Sequence, residues 1–71
     1  MKSEFATVIV NGRSRQLSLP CSAVELIAQC GWRDTQVVVE HNGRVLERGT
    51  LSQVALVDGD IVEVIVPVAG G

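Results

Sequence analysis

Apolar and polar residues alternate at two different periods along this chain, and the points where the period changes divide it into elements. Phe5-Ala6-Thr7-Val8-Ile9-Val10 and Arg15-Gln16-Leu17-Ser18-Leu19 read as strands, separated by a segment that opens on Asn11-Gly12. Asn-Gly supplies two residues that tolerate positive φ, and that backbone twist matches the twist of paired strands, so the segment predicts a hairpin. Leu17 and Leu19 then share one face, leaving Gln16 and Ser18 to water.

After Pro20 the period lengthens. Ser22 followed by Glu25 forms a capping-box pattern, and Ala23, Ile27 and Cys30 recur at helical spacing. The pattern predicts a helix over about residues 23–30, closed by Gly31, with Trp32 folded back over that end. Gln36-Val37-Val38-Val39-Glu40-His41 is too short and too β-branched for a helix and reads as a strand, which Asn42-Gly43 turns into Arg44-Val45-Leu46. Residues 51–56 read as a single turn or a loop.

Asp58-Gly59-Asp60 is a tight-turn sequence that launches Ile61-Val62-Glu63-Val64-Ile65-Val66, apolar on both faces almost without interruption, as expected of a strand in mid-sheet. Pro67 cannot donate to a ladder, so pairing should lapse there. The order strand, strand, helix, strand, strand, turn, strand is that of an α+β, ubiquitin-like β-grasp, a mixed five-stranded sheet with one main helix. The expected organisation is a β-grasp domain over residues 1–67 and a flexible C-terminal tail over residues 68–71.

Composition narrows the function. A chain of 71 residues makes one domain, and at this size folding buries only about 60% of the unfolded chain's surface. Such a thin core leaves little room for a deep pocket of converging catalytic groups, so an independent enzyme is disfavoured. With one Trp, one Phe and no Tyr, the core must consist of Val, Ile and Leu. The net charge is −2, and the six Lys and Arg are scattered without aromatic stacking partners, which disfavours nucleic acid as a partner. No stretch approaches the roughly 20 apolar residues of a membrane span, and the N-terminal residues lack a signal pattern, so a cytoplasmic protein is expected.

The chemistry then falls on the closing residues, Val68-Ala69-Gly70-Gly71. Beyond Ala69 this backbone has no Cβ, so it can enter a channel too narrow for side chains and adopt torsions closed to other residues. The carboxylate of Gly71 arrives at the far end, where it can attack the α-phosphate of ATP held by a partner enzyme.

The opening strand with Asn11-Gly12, the segment Val39-Glu40-His41-Asn42-Gly43 with Val45 after it, the Val57-Asp58-Gly59-Asp60 turn with its apolar strand, and Gly70-Gly71 together resemble the ThiS family of sulfur carriers. The resemblance covers essentially the whole chain. It implies that Gly71 is adenylated by an E1-like activating enzyme (ThiF-like) that consumes ATP, the carrier itself binding no cofactor. Gly71 then becomes a thiocarboxylate with sulfur from a cysteine desulfurase, and gives that sulfur to a thiazole synthase (ThiG-like) in thiamin synthesis. By position Gly71 bears the sulfur, Gly70 is the channel residue, and Ala69 and Val68 complete the inserted tail. Pro67 near an Ala-Gly-Gly ending also resembles the small subunit of molybdopterin synthase, so that role and carriage to other sulfur acceptors stay open. From another class, a ubiquitin-like modifier joined to a target lysine and a plain binding module remain as rivals.

Other side chains read more simply as structural. A terminal Gly-Gly can be incidental at a frayed end, but chance does not also supply a β-grasp order ending just before it. His41 beside a turn reads as a surface hairpin histidine and not a general base. Asp58 and Asp60 fall short of the oxygen set calcium requires and read as turn formers. Cys21 and Cys30 read as packing or loop residues, Cys30 on the buried face of the helix. The valines of several strands exceed what one short helix can cover, which predicts an exposed apolar patch on the uncovered sheet face. That patch is drawn from Val62, Val64 or Val66, or from their alternates.

Overall fold

The computed structural model describes residues 4–68. They form strands β1 (Phe5–Val10) and β2 (Arg13–Ser18), helix α1 (Ala23–Gln29), and strands β3 (Val38–His41), β4 (Arg44–Val45) and β5 (Ile61–Ile65), with single 3-10 turns at Asp34–Gln36 and Leu51–Gln53. The sheet order is β2-β1-β5-β3-β4. β1 and β5 run parallel, and the other neighbours are antiparallel. This is the expected β-grasp, a mixed five-stranded sheet with one main helix.

Both hairpins turn on the residues that their sequence names. Asn11 and Gly12 have φ of 50° and 83°, and Asn42 and Gly43 have 51° and 85°. Two consecutive positive φ values define the two-residue turn whose twist suits paired strands. A turn this tight lets Arg13 pair directly with Val10, so β2 begins two residues earlier than its apolar alternation implies. β3 begins two residues later than its β-branched run implies. Gln36 is drawn into the preceding 3-10 turn, where its N–H donates to Arg33 O (2.9 Å) and its side chain accepts from Arg33 N (3.0 Å).

α1 opens on the expected capping box: Glu25 N donates to Ser22 Oγ at 3.2 Å and Ser22 N donates to Glu25 Oε1 at 3.3 Å. It closes on Gly31 at φ 91°, with Gly31 N–H on Ala28 O (3.0 Å) and Trp32 N–H on Ile27 O (2.9 Å). These crossed bonds satisfy two carbonyls that the helix end leaves open. Ala23, Leu26 and Ile27 form the buried stripe. Cys30 caps the helix on the same face and packs half-buried against the edge of the core.

The core lies between α1 and one face of the sheet. Val8 and Val10 of β1, Leu17 of β2, Val39 of β3, and Val62 and Val64 of β5 meet Leu26 and Ile27 there. Residues 51–56 close the side of this layer: Leu51 and Leu56 are buried, Ala23 N–H donates to Val54 O and Leu56 N–H donates to Cys21 O, both at 2.9 Å.

Candidate functional site

β5 occupies the middle of the sheet and leads towards the closing residues, so whatever fixes its C-terminal end fixes where the tail departs. At its start, Asn42 N–H donates to Ile61 O (2.8 Å) and Asn42 Oδ1 accepts from Ile61 N (2.8 Å). Near its end, Asn11 Oδ1 accepts from Val64 N (2.7 Å) and Asn11 Nδ2 donates to Val64 O (3.3 Å). The asparagines of the two Asn-Gly turns therefore bracket the central strand from opposite sides.

Beyond Ile65 the ladder stops. Val66 and Pro67 are exposed, and Val68 is 94% exposed. Of the tail residues expected to carry the chemistry, Val68 is thus presented to solvent directly behind the central strand. Ala69, Gly70 and Gly71 lie outside the described residues.

The turn before β5 is held by two carboxylates with different partners. Asp58 Oδ1 accepts from Thr7 N at 2.7 Å, while Gly59 N–H donates to Thr7 O at 2.8 Å, fastening the turn to β1. Asp60 is 5% exposed. Its Oδ2 accepts from Val57 N and from His41 Nε2, both at 2.9 Å, and its Oδ1 accepts from Asn42 Nδ2 at 3.0 Å. An ionised carboxylate only accepts, so His41 carries its proton on Nε2. Burial, the largest single influence, pushes the Asp60 carboxyl up. The hydrogen bonds from Asn42, His41 and Val57, with the charge of His41, outweigh burial and hold it below the ordinary carboxylate value.

His41 is therefore not the loose hairpin histidine that its place in the chain suggests. It sits across the sheet from Asp60, 19 residues on, a pairing that only the β3–β5 register reveals. The pair resembles an acid–base dyad but works as a staple, since both oxygens of Asp60 are already engaged by structural donors. Among the described residues no three His, Cys, Asp or Glu gather as metal ligands.

Cys21 is buried and Cys30 half-buried, and both are free thiols. Burial first, and the charge of Glu25 second, push the Cys21 thiol above its ordinary 9.0, which keeps it protonated and a poor nucleophile. It lines a shallow cleft of about 210 Å³ with Ser22, Glu25, Ser52 and Gln53, below the roughly 300–1,000 Å³ of ordinary ligand pockets. Among the described residues no helix is long and apolar enough to cross a membrane.

The face of the sheet away from α1 settles which alternate residues look outward. Val62 and Val64 point into the core, and Ile61 and Ile65 are 48% and 42% exposed. Register sets Ile9 beside Ile61 and Val38 beside Ile65. Phe5 and Val45, further out on the same face, are also exposed. Glu63 and Glu40 stand directly opposite each other within this apolar field.

The ThiS family model matches residues 8–71. The chain belongs to the ThiS family. Proteins of this family are small sulfur carriers in thiamin biosynthesis rather than catalysts. The chain is similar to the crystal structure of the thiamine biosynthesis protein ThiS from Geobacter metallireducens. The two are 31% identical over 92% of this chain and 99% of that one, with a TM-score of 0.78. A solution structure of a thiamine biosynthesis protein from the same organism gives 0.75 at the same identity and covers 92% and 87% of the two chains. A computationally designed protein based on human erythrocytic ubiquitin, at 18% identity and a TM-score of 0.57, covers 97% and 98% and shows the shared ubiquitin-like fold. The thiazole synthase of Paramagnetospirillum magneticum is 30% identical over 64 residues, a match that spans 90% of this chain and only 20% of that relative's length.

Proposed function

We propose that this protein carries sulfur on Gly71 for thiamin thiazole synthesis. The observation that carries this reading is the family match, which begins in β1 and continues through Gly70-Gly71. A carboxylate oxygen of Gly71 attacks the α-phosphorus of ATP on an activating enzyme, pyrophosphate leaves, and an acyl-adenylate forms. A persulfide sulfur supplied through a cysteine desulfurase then attacks the acyl carbon and displaces AMP. Reduction of the resulting acyl disulfide by a thiol leaves the thiocarboxylate. Gly70 carries the reacting carbon through the narrow approach to the nucleotide, where side chains do not fit, and Ala69 and Val68 form the rest of the inserted tail.

The acceptor is a thiazole synthase, a reading supported by the similarity to a segment of a protein of that name. The open sheet face is the docking surface: Ile61 and Ile65 stand on it at the two ends of β5, the strand that leads into the tail, so a partner seated there holds Gly71 at a fixed reach. Carriage of sulfur to a molybdopterin precursor would use the same activation and differ only in the acceptor.

The test is to append one residue after Gly71 and measure ATP–pyrophosphate exchange with the activating enzyme. Because the carboxylate then overshoots the α-phosphorus, exchange seen with the natural chain should vanish. Undiminished exchange by the extended chain would overturn the assignment of Gly71. Exchange by neither chain, on an enzyme active with another carrier, would favour a plain binding module.

A further inference from the structure

The hairpin between β1 and β2 creates a difficulty for the strand that bears the tail. β1 pairs with β5 only as far as Val10 opposite Val62, with Asn11 N–H donating to Val62 O at 3.0 Å. In a continuing parallel ladder, the next bond would run from Val64 N–H to the backbone carbonyl of Asn11. That carbonyl is lost to the ladder, because Asn11 at φ 50° has already entered the turn into β2. The side-chain amide of Asn11 takes over: its carbonyl accepts from Val64 N at 2.7 Å and its NH₂ donates to Val64 O at 3.3 Å. One side chain thus supplies both partners that an extra length of β1 would have given. On that edge, among the described residues, nothing pairs with the backbone of Val66.

We infer that Asn11 is a positioning residue for the carrier reaction: its side-chain amide, clamped across Val64, gives the end of β5 its partner on the β1 side and so steadies the strand from which the tail departs. The inference rests on the carrier reading proposed above. Without the clamp, β5 beyond Val62 is held by β3 alone, with Val39 opposite Val64 and Val38 opposite Ile65; its end frays more readily, and an enzyme that captures Gly71 must order the frayed residues again. Ordering one more backbone residue weakens capture by about tenfold. The chemistry at the captured carboxylate is untouched, so the effect belongs in KM for the carrier and not in kcat.

The deciding variant is Asn11→Gly, which keeps the positive φ the turn requires and removes only the side chain. Asn11→Asp retains the acceptor for Val64 N–H and loses the donor to Val64 O. Asn42→Gly makes the same change in the other turn, on the far end of β5. In hydrogen exchange, Asn11→Gly should lose protection at Val64 selectively, with the amides of Val8 and Val39 unchanged after correction for global stability. In ATP–pyrophosphate exchange, it should raise KM for the carrier about tenfold at unaltered kcat. Asn11→Asp should fall between it and the natural protein, and Asn42→Gly should keep the natural KM. Equal KM for Asn11→Gly and the natural protein, or a KM raised equally by Asn42→Gly, would overturn the inference while leaving Gly71 chemistry intact. Failure of the natural protein to support exchange at all would instead defeat the carrier reading on which the inference rests.

Discussion

Replacing Asp60 by Asn tests whether the buried carboxylate is a staple, because the two side chains share a shape and differ in what they can accept. Asp60 receives three hydrogen bonds at 2.9–3.0 Å, from Val57 N, His41 Nε2 and Asn42 Nδ2. An amide in its place has one oxygen and one NH₂, so that NH₂, buried with residue 60, meets a donor and is left without an acceptor. Stranding one buried donor costs about 1–3 kcal/mol. For a domain of this size each kcal/mol moves Tm by roughly 4–8 °C, so a loss of about 2 kcal/mol lowers Tm by roughly 8–16 °C. The pH dependence supplies the sharper readout. The folded-state pKa of Asp60 is depressed below its ordinary 3.8. Its contribution is therefore fully present above that ordinary value and is lost as pH falls through the folded-state value. Once protonated, Asp60 offers one acceptor and one donor, much like Asn. Thermal unfolding followed by circular dichroism should show a wide gap between the two proteins at neutral pH, closing as the pH falls below 3.8 and through the folded-state value. A gap absent at neutral pH, or one of the same width throughout that fall, would refute the reasoning.

Three further outcomes follow from the same geometry. His41→Ala should cost about 1–2 kcal/mol in urea unfolding, through the lost bond to Asp60, and leave sulfur loading intact; loss of loading in a folded variant would make His41 a participant. Iodoacetamide at about pH 8 should spare Cys21 until the protein unfolds, because its buried thiol is held above 9.0, and a Cys21→Ser, Cys30→Ser protein that folds should still load. Ile61→Glu and Ile65→Glu should leave Tm within a few degrees, since both side chains are already about half exposed, while weakening capture by the activating enzyme at least tenfold, as loss of a central apolar anchor does.

Most of the fold was legible because local chemistry and global architecture agree. Asn11-Gly12 and Asn42-Gly43 name their turn type, Ser22 and Glu25 name the helix start, and the double-sided apolar run of 61–66 places its strand in the middle. The errors came where tertiary contacts override pattern. Gln36 left its β-branched run for a 3-10 turn, whereas Cys21 and Cys30 pack in and against the core as their reading as packing residues expects. The His41–Asp60–Asn42 network was hidden because its members become neighbours only through the β3–β5 register. An Asn in an Asn-Gly turn gives no sign that its side chain will also serve a third strand. Which valines face outward could not be read from a run apolar on both faces, since a strand's two faces differ only once the helix has covered one of them.

The central claim is that Gly71 bears the sulfur, and intact-protein mass spectrometry tests it most directly. The chain is incubated with ATP, the host activating enzyme, cysteine and a desulfurase, beside the same chain lacking Gly71. The account predicts a mass gain equal to one oxygen exchanged for sulfur, located at Gly71 and absent from the truncated chain. An unchanged mass with enzymes that load another carrier, or an equal gain in the chain lacking Gly71, would contradict it.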